Sequence, residues 1–560
     1  MIDWLHPSLV LILGSFVLAF TGERGRRIWM LVLPAFTLCL ILGLQPGLYG
    51  QFQFLGLELT PMRIDALSLV FAYVFGIILI IGAIYALHVG DRVQHIAAFS
   101  YGGSALGVVF AGDLVTLYVF WELMVITSVW LVWRRRSATS YASGMRYLMV
   151  HAVGGVLLLA GIVAYYQTTG SIAFDQIETG GPAFWLILIA FMINAAVPPL
   201  HAWLADAYPE STITGAIFLS ALTTKTAVYT LIRGYPGTEI LVWLGAIMAL
   251  YGVVYAVLSN DIRRLLAYHI ISQVGYMVAG VGMGTMLALN GASSHAFTHI
   301  LYKSLLFMGA GAVIHMTGKS KLTELGGLYK YMPWTFVLYM VGAFSISAFP
   351  LFSGFVSKTM VVEAAAADYR PVIFLMLLCA SAGTFLHTGL KLPWFTFMGK
   401  DSGLRPKEAP LNMLIAMGLA AFLCVFIGVY PAALYAILPG PVDYNAYTTG
   451  HVLKELQLLL FTGLGFFLML KHLGGEAKVS ADTDWFYRAG GKRLVVATRD
   501  LISISYMSTR TRISESLHRQ AEKIDRRHGR KGKLARSWPI GSMAMWTAVL
   551  LAALLIFGIR

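Results

Sequence analysis

Ionisable side chains that could move protons lie inside long apolar runs of this sequence. Glu122 interrupts LYVFWELMVITSVW, and Lys225 interrupts ALTTKTAVY. A charged side chain in a lipid-buried helix costs about 2.5–3.5 kcal/mol on insertion scales, and such residues commonly mark ion paths. Burial favours the neutral form of both groups, so each could exchange a proton if a partner charge lies close. The alternatives are a neutral Glu122 bonded to backbone and a Lys225 that snorkels to the membrane surface.

A second set of ionisable residues recurs at helical spacing. His295, His299 and Lys303 stand at i, i+4 and i+8 in SSHAFTHILYKSLLFMGAG, which places them on one helix face. Histidine titrates near neutral pH, so this stripe predicts a proton relay. Either histidine alone could instead be a satisfied core residue. We expect no metal site, because no Cys, Asp or Glu lies nearby, and no cofactor, because no nucleotide, flavin or iron–sulfur motif occurs.

Two apolar runs near these residues are interrupted by proline. One is broken by Pro198-Pro199, and the other within PLFSG at 350–354, just before Lys358. Proline removes a backbone donor, and freed backbone groups survive in lipid only inside protein or beside a wet cavity. Interrupted helices in corresponding positions of two halves indicate a transport site. Glu363 is the candidate partner of Lys358.

Weaker candidates follow the same logic. His269 lies in RRLLAYHIISQVGYM, and His387 and Lys391 lie in GTFLHTGLKLPWF. Each could satisfy a helix carbonyl as readily as carry a proton. Arg263 and Arg264 are interpreted as charged loop residues.

The composition requires that membrane helices position all of these groups. The 560-residue chain is 58% hydrophobic and 12% charged, which predicts an all-α polytopic membrane protein with about 16 transmembrane helices. The net charge of +14 does not indicate nucleic-acid binding, because the basic residues fall in alternate loops and in a C-terminal segment. Under the positive-inside rule, this alternation places both termini on the outer side of a prokaryotic inner membrane. The three cysteines are isolated and predict no disulfide framework.

Several motifs carry a family resemblance over nearly all of residues 60–440. FWELM, PPLHAWLADA, LTTKTAVY, DIRRLLAYHIISQVGY, HAFTHILYKSLLF and PLFSGFVSK occur in this order. Together they resemble the antiporter-like membrane proteins of respiratory complex I, Mrp-type Na⁺/H⁺ antiporters and membrane-bound hydrogenases. The resemblance implies two inverted five-helix repeats, each with a broken helix and each forming half of a proton path. It implies a path through Glu122, Lys225, His295, His299, Lys303 and Lys358.

The sequence departs from the family pattern at one position. The family usually has a lysine on its first broken helix, and this lysine pairs with the glutamate of the FWELM motif. Aligned through PPLHAWL, that position is Asn194, and an amide cannot supply the charge. Glu122 then lacks its usual cation, and the first half is expected to pump poorly. His151 is the first candidate for a substitute cation, because it can be protonated.

The resemblance and the charge pattern divide the chain into six segments. They are 1–92 (N-terminal helices), 93–233 (first inverted repeat), 239–398 (second inverted repeat), 409–472 (C-terminal helices), 473–540 (a basic amphipathic segment on the cytoplasmic membrane surface) and 541–560 (the last transmembrane helix).

Three functions remain open at this level. The chain could be a proton-translocating subunit of a multisubunit complex, with Na⁺ exchange undecided. It could be the energy-coupling membrane partner of a soluble enzyme, as in hydrogenase or inorganic-carbon-uptake complexes, or a non-conducting structural subunit. In each case the partners expected are other membrane subunits and the lipid bilayer, and any redox catalysis belongs to a partner.

Overall fold

Apolar runs fold into helices because a helix satisfies its own backbone groups, as lipid requires. The computed structural model describes residues 5–178, 180–474, 482–483 and 485–558, in two units, Met1–Asp484 and Trp485–Arg560. Among the described residues, 12 helices are long and apolar enough to cross a membrane, and three further apolar helices are shorter. The polytopic prediction is confirmed, whereas the count of about 16 stays a prediction.

The first unit opens with three helices and two small hairpins. The helices are α1 (Pro7–Ser15), which continues as a 3₁₀ turn (Phe16–Ala19), α2 (Glu23–Leu42) and α3 (Ala66–Ala86). Antiparallel pairing joins β1 (Gly47–Tyr49) to β4 (Met62–Ile64), and β2 (Phe52–Phe54) to β3 (Leu57–Leu59).

The next two groups of helices contain every predicted path residue. The first group is α4 (Arg92–Phe110), α5 (Leu114–Trp133), α6 (Ala138–Thr169), α7 (Gly181–Asn194), α8 (Ala202–Ala207), α9 (Gly215–Ala221) and α10 (Thr223–Gly234). The second is α11 (Glu239–Leu258), α12 (Ile262–Met283), α13 (Met286–Thr317), 3₁₀ turns (Leu322–Glu324 and Leu328–Lys330), α14 (Pro333–Ile346), α15 (Ser353–Ala367), α16 (Pro371–Thr384) and π-helical segments (Phe385–Lys391 and Trp394–Met398).

The two groups share local features. Asp113 caps α5 and Asp261 caps α12, each through backbone N–H groups of the first turn. The helices that follow, α6 and α13, are both 32 residues long and end at Gly170 and Gly318, with φ of 68° and 69°. Left-handed backbone of this kind favours glycine at a helix end. After each glycine the chain returns to bridge the capping aspartate.

The two predicted helix breaks are present and use the same backbone geometry. Two residues beyond the ends of α7 and α14, Ala196 and Ala348 adopt φ of 57° and 58°. Val197 N–H then donates to Met192 O at 3.0 Å, and Phe349 N–H to Phe344 O at 3.1 Å. Both bonds reach five residues back, so each helix ends in a wider turn before its proline. These matching features support a duplicated unit, and the inverted orientation of the repeats stays a prediction.

The first unit closes with α17 (Leu411–Val429), α18 (Ala432–Tyr435) and α19 (Thr449–Leu468). The second unit contains a π-helical turn (Phe486–Gly491), α20 (Lys492–His528) and α21 (Ile540–Phe557). The sequence predicts a basic helix within 473–540, and α20 is that helix; its place on a membrane surface stays a prediction. Residues 475–481 and 484 of that segment lie outside the described residues.

Candidate functional site

The histidine–lysine stripe lies on α13, a helix that is buried along almost its whole length. His295, His299 and Lys303 are fully buried and one helical turn apart, as their spacing predicts. The His295 and His299 rings are 5.9 Å apart, and Tyr302 Oη lies 3.3 Å from His295 Nδ1. Neither ring nitrogen of His299 has a hydrogen-bond partner among the described residues. Buried polar atoms without partners are rare, and they commonly mark functional sites.

Two of the weaker candidates extend this stripe beyond Lys303. Lys303 Nζ lies 3.3 Å from His269 Nδ1, and Thr388 Oγ1 lies 3.0 Å from the same nitrogen. The ring of His387 meets that of His269 edge-on at 4.6 Å. His387 and Thr388 come from a π-helical segment, a backbone form found mostly at functional sites. The sequence ranks these histidines low because their neighbours come from a different helix.

Lys391 connects this group to a cavity of about 500 Å³. Its ammonium donates to the carbonyls of Val257 and Ser259, at the end of α11. Ser259 lines the cavity, together with the polar residues Glu210, Ser211, Thr212, Asn260, Asp261, Arg264, Ser320 and Lys321. Lys391 therefore bonds to a residue that lines this cavity, and a proton path from the cavity to α13 stays a prediction.

Arg263, interpreted from sequence as a loop charge, is instead buried in the first turn of α12. Its guanidinium donates to Tyr208 O at 2.9 Å and to Ser211 O at 2.8 Å. It thereby fixes the turn between α8 and α9. Asp261 caps α12, so the helix begins before Arg263 and the arginine lies in its first turn.

Both predicted lysines beyond the breaks are fully buried and bind helix-end carbonyls. Lys358 Nζ donates to Ile346 O, the last residue of α14, at 3.3 Å. Lys225 Nζ donates to Ser220 O, near the end of α9, at 2.6 Å, and to Thr224 Oγ1 at 3.2 Å. Helix ends leave carbonyls unpaired and carry partial negative charge, so they favour cations. The complete burial of Lys225 excludes snorkelling.

The predicted pairing of Lys358 with Glu363 is wrong. The Glu363 carboxylate lies 3.6 Å from Lys454 Nζ instead. Five residues along a helix is well off the face of Lys358, so Glu363 points elsewhere. The carboxylate that interacts electrostatically with Lys358 is Glu455 of α19, a buried residue that the sequence reasoning missed. In the sequence, Glu455 is marked only by its position within the apolar run that forms α19.

Lys225 stands beside the stripe although it comes from the first group of helices. Its charge interacts with His299 and Lys303. That Lys225 and the α13 stripe belong to one proton path stays a prediction.

Glu122 lies at the contact between α5 and α6, and no described residue forms an ion pair with it. It is half-buried on α5 and packs against Gly155 of α6, where a Cβ would collide with Oε1. His151, one turn earlier on α6, is fully buried, and its Nε2 has no partner in the described part of the chain. Asn194 is fully buried at the end of α7, and neither Oδ1 nor Nδ2 has a described partner. The role of His151 as a substitute cation stays a prediction.

Asp482 is a second carboxylate that the sequence reasoning missed. It accepts a hydrogen bond from Tyr268 Oη at 2.6 Å and lies 3.2 Å from His201 Nε2, just past the first break. Thr483 Oγ1 donates to Pro199 O at 3.3 Å. Burial raises the pKa of Asp482, but the hydrogen bonds and charge of His201 and the tyrosine hydroxyls outweigh it and hold the pKa below its usual range. In the sequence, Asp482 is marked only as the first residue of the stretch DTDWFYR, residues 482–488.

The fold is that of a multi-pass membrane protein with ionisable groups buried among its helices. Residues 111–384 match the family described as NADH:quinone oxidoreductase/Mrp antiporter, TM. An uncharacterized protein of Methanocaldococcus jannaschii is 31% identical over 355 residues, which is 59% of this chain and 73% of that protein. The chain belongs to this family.

The chain is also similar to a further relative and to a chain in a solved structure. Hydrogenase-4 component B of Escherichia coli is 29% identical over 67% of this chain, and the match spans 63% of that longer protein. A chain in the structure of an archaeal membrane-bound sulfane sulfur reductase has the same fold, with a TM-score of 0.72 at 24% identity, covering 99% of this chain and 100% of that chain.

Proposed function

We propose that this protein is a proton-translocating membrane subunit of a multisubunit complex, with protons moving along the buried line of ionisable groups. The observation that carries the proposal is a series of buried groups, in which Lys303 lies beside His269, the His269 ring meets His387, and the His299 ring lies near His295. Lys391 and Lys358 extend the two ends of this series through electrostatic interactions with His387 and His295. Buried titratable groups in membrane helices are costly, so a continuous series of them calls for a function.

The chemistry of the line suits proton transfer. Imidazole can accept a proton at one nitrogen and release one at the other, and a buried lysine can alternate between charged and neutral forms. Protons would enter from the cavity beside Lys391 and reach Lys303 through His269. Lys225 adjoins the centre of the line and, as a buried lysine, is a further proton-carrying group.

The test measures proton movement in inverted membrane vesicles that carry the native complex with one substitution in this chain. Lys303→Ala and Lys225→Ala should each reduce the rate at which a pH gradient forms by about a hundredfold, because each removes a proton-carrying group. Lys330→Ala, at an exposed lysine, is the matched control and should be unchanged. Retained transport in Lys303→Ala, with normal amounts of assembled complex, would contradict the proposal and favour a structural subunit. Adding Na⁺ to the same vesicles tests whether it exchanges for protons.

A second candidate function is energy coupling to a soluble redox enzyme. It is favoured by the match to a hydrogenase component and by a fold neighbour that spans nearly the whole chain and belongs to a respiratory complex. Purifying the complex in mild detergent and identifying its soluble components distinguishes the two. A redox enzyme in stable association supports coupling, whereas antiporter subunits alone support exchange.

A further inference from the structure

We propose that Glu455 is the proton acceptor that connects Lys358 to the membrane surface at which α19 begins. This inference rests on the proposed function, because it supplies the outlet of the same path. Nothing in the family resemblance assigns a role to this position.

The orientation of α19 singles out Glu455. Only three residues of this helix are buried in the chain, Glu455, Leu459 and Phe466, and they lie on one face. Glu455 is only 2% exposed, and its Oε2 has no hydrogen-bond partner among the described residues. A carboxylate that faces protein without a hydrogen bond needs a nearby cation.

Contacts between α15 and α19 place Glu455 near Lys358. Phe355, one turn before Lys358, stacks on His451, one turn before Glu455, with ring centroids 4.9 Å apart. Further along α15, Glu363 pairs with Lys454. The two contacts lie on either side of Lys358 along α15, and on α19 they end at Lys454, the residue directly before Glu455. The charges of Lys358 and Glu455 interact.

The other groups around Glu455 complete a route to the surface. Tyr276 of α12 has its ring 5.9 Å from Lys358 Nζ, and Tyr444 Oη lies 2.9 Å from Thr359 Oγ1. Both tyrosines interact electrostatically with Glu455. On its own helix, His451 is half-buried and lies towards the start of α19, with Nδ1 2.7 Å from Ala446 O.

The transfer proceeds in two balanced steps. The Lys358 ammonium gives one proton to the Glu455 carboxylate, directly or through water, which leaves a neutral amine and a neutral carboxyl group. The carboxyl group then releases that proton towards His451 or surface water and returns to the carboxylate. Lys358 is reprotonated from the His295 side, so one proton crosses in each cycle.

The test compares Glu455→Gln with Glu363→Gln in the same vesicles. Glu363 is the matched control. It is a glutamate of α15 that forms a partly exposed ion pair with Lys454, the residue before Glu455. We expect Glu455→Gln to lower proton transport about tenfold or more, Glu455→Asp to restore part of it, and Glu363→Gln to have no effect. Infrared difference spectra between two pH values should contain a carboxyl signal that disappears in Glu455→Gln alone.

The outcomes separate this inference from the proposed function. If Glu455→Gln transports normally while Lys303→Ala is inactive, the outlet proposal is wrong and the proposed function stands. If Lys303→Ala is also active, both are wrong. A loss of transport that only follows a loss of assembled complex, or a carboxyl signal that persists in Glu455→Gln, would assign Glu455 a packing role and overturn the proposal.

Discussion

Residues 93–233 and 239–398 share a 32-residue third helix, a 14-residue fourth helix, an aspartate cap and a helix break, but they differ in the side chains at matching positions. Counted from the first residue of α6 and of α13, His151 matches His299, and Gly155 matches Lys303. The second half places a lysine where the first half has a glycine, and Glu122 packs into the space that this glycine leaves. The comparison indicates that similar backbones can hold either an unbroken series of ionisable side chains or an interrupted one.

The two helix breaks also differ at one matched position. Substitution at this position in the second break is expected to have the largest effect on the amount of folded protein. Aligned through Pro198 and Pro350, Gly354 matches Ala202. A Cβ at Gly354 would collide with the backbone carbonyl of Ser345. We expect Gly354→Ala to reduce the amount of folded protein severalfold, because overpacking against rigid backbone costs about 1–3 kcal/mol or more.

Gly418→Ala is the control for this substitution, since a Cβ at Gly418 meets nothing within 4 Å. The measurement is the yield and melting temperature of purified protein in detergent. Equal melting temperatures for the two variants would show that the second break tolerates an alanine as the first does.

An intermediate effect is expected at Asp482, which holds the first break by His201 and Tyr268. Asp482→Asn should lower the melting temperature by a few degrees, because a charge-assisted hydrogen bond contributes about 1.5–3 kcal/mol. The pKa of Asp482 is lowered in the folded protein, so its stabilisation is present above the unfolded pKa and is lost as pH falls through the lower, folded value.

The difference in melting temperature between wild type and Asp482→Asn should therefore stay constant from about pH 6 to pH 8. Thr483→Ala, next to it, is the milder comparison. A difference that disappears within this range would mean that another group, such as His201, controls the contact.

The smallest effect is expected at Glu122. Without a lysine at position 194, Glu122→Gln should change proton transport by less than about twofold, because the amide mimics the protonated acid. A Cβ added at Gly154 of α6 would lie 3.6 Å from Ile193, the neighbour of Asn194, and one added at Gly155 would collide with Glu122. Asn194→Lys should therefore bring a cation close to Glu122.

In the Asn194→Lys background, Glu122→Gln should become clearly more harmful than in the wild-type chain. The measurement is the same vesicle assay on the two single variants and the double variant. If Glu122→Gln alone already abolishes transport, Glu122 has another cation, and His151 becomes the residue to substitute next.

Sequence alone determined the membrane class, the two helix breaks and the burial of Lys225, His295, His299, Lys303 and Lys358. These follow from local rules, because an apolar run must form a helix in lipid, proline must interrupt it, and i, i+4 spacing shares one face. The resemblance located the same residues through contiguous motifs.

Only the tertiary structure decided which charges meet. His269 lies beside Lys303 from another helix and His387 packs against His269, whereas Glu455 rather than Glu363 interacts electrostatically with Lys358. Arg263 proved to be buried, and Asp482 reaches the first break across more than 280 positions of sequence. Such contacts depend on how helices pack against each other, and a one-dimensional pattern of apolar and charged residues carries no information about which faces will be opposed.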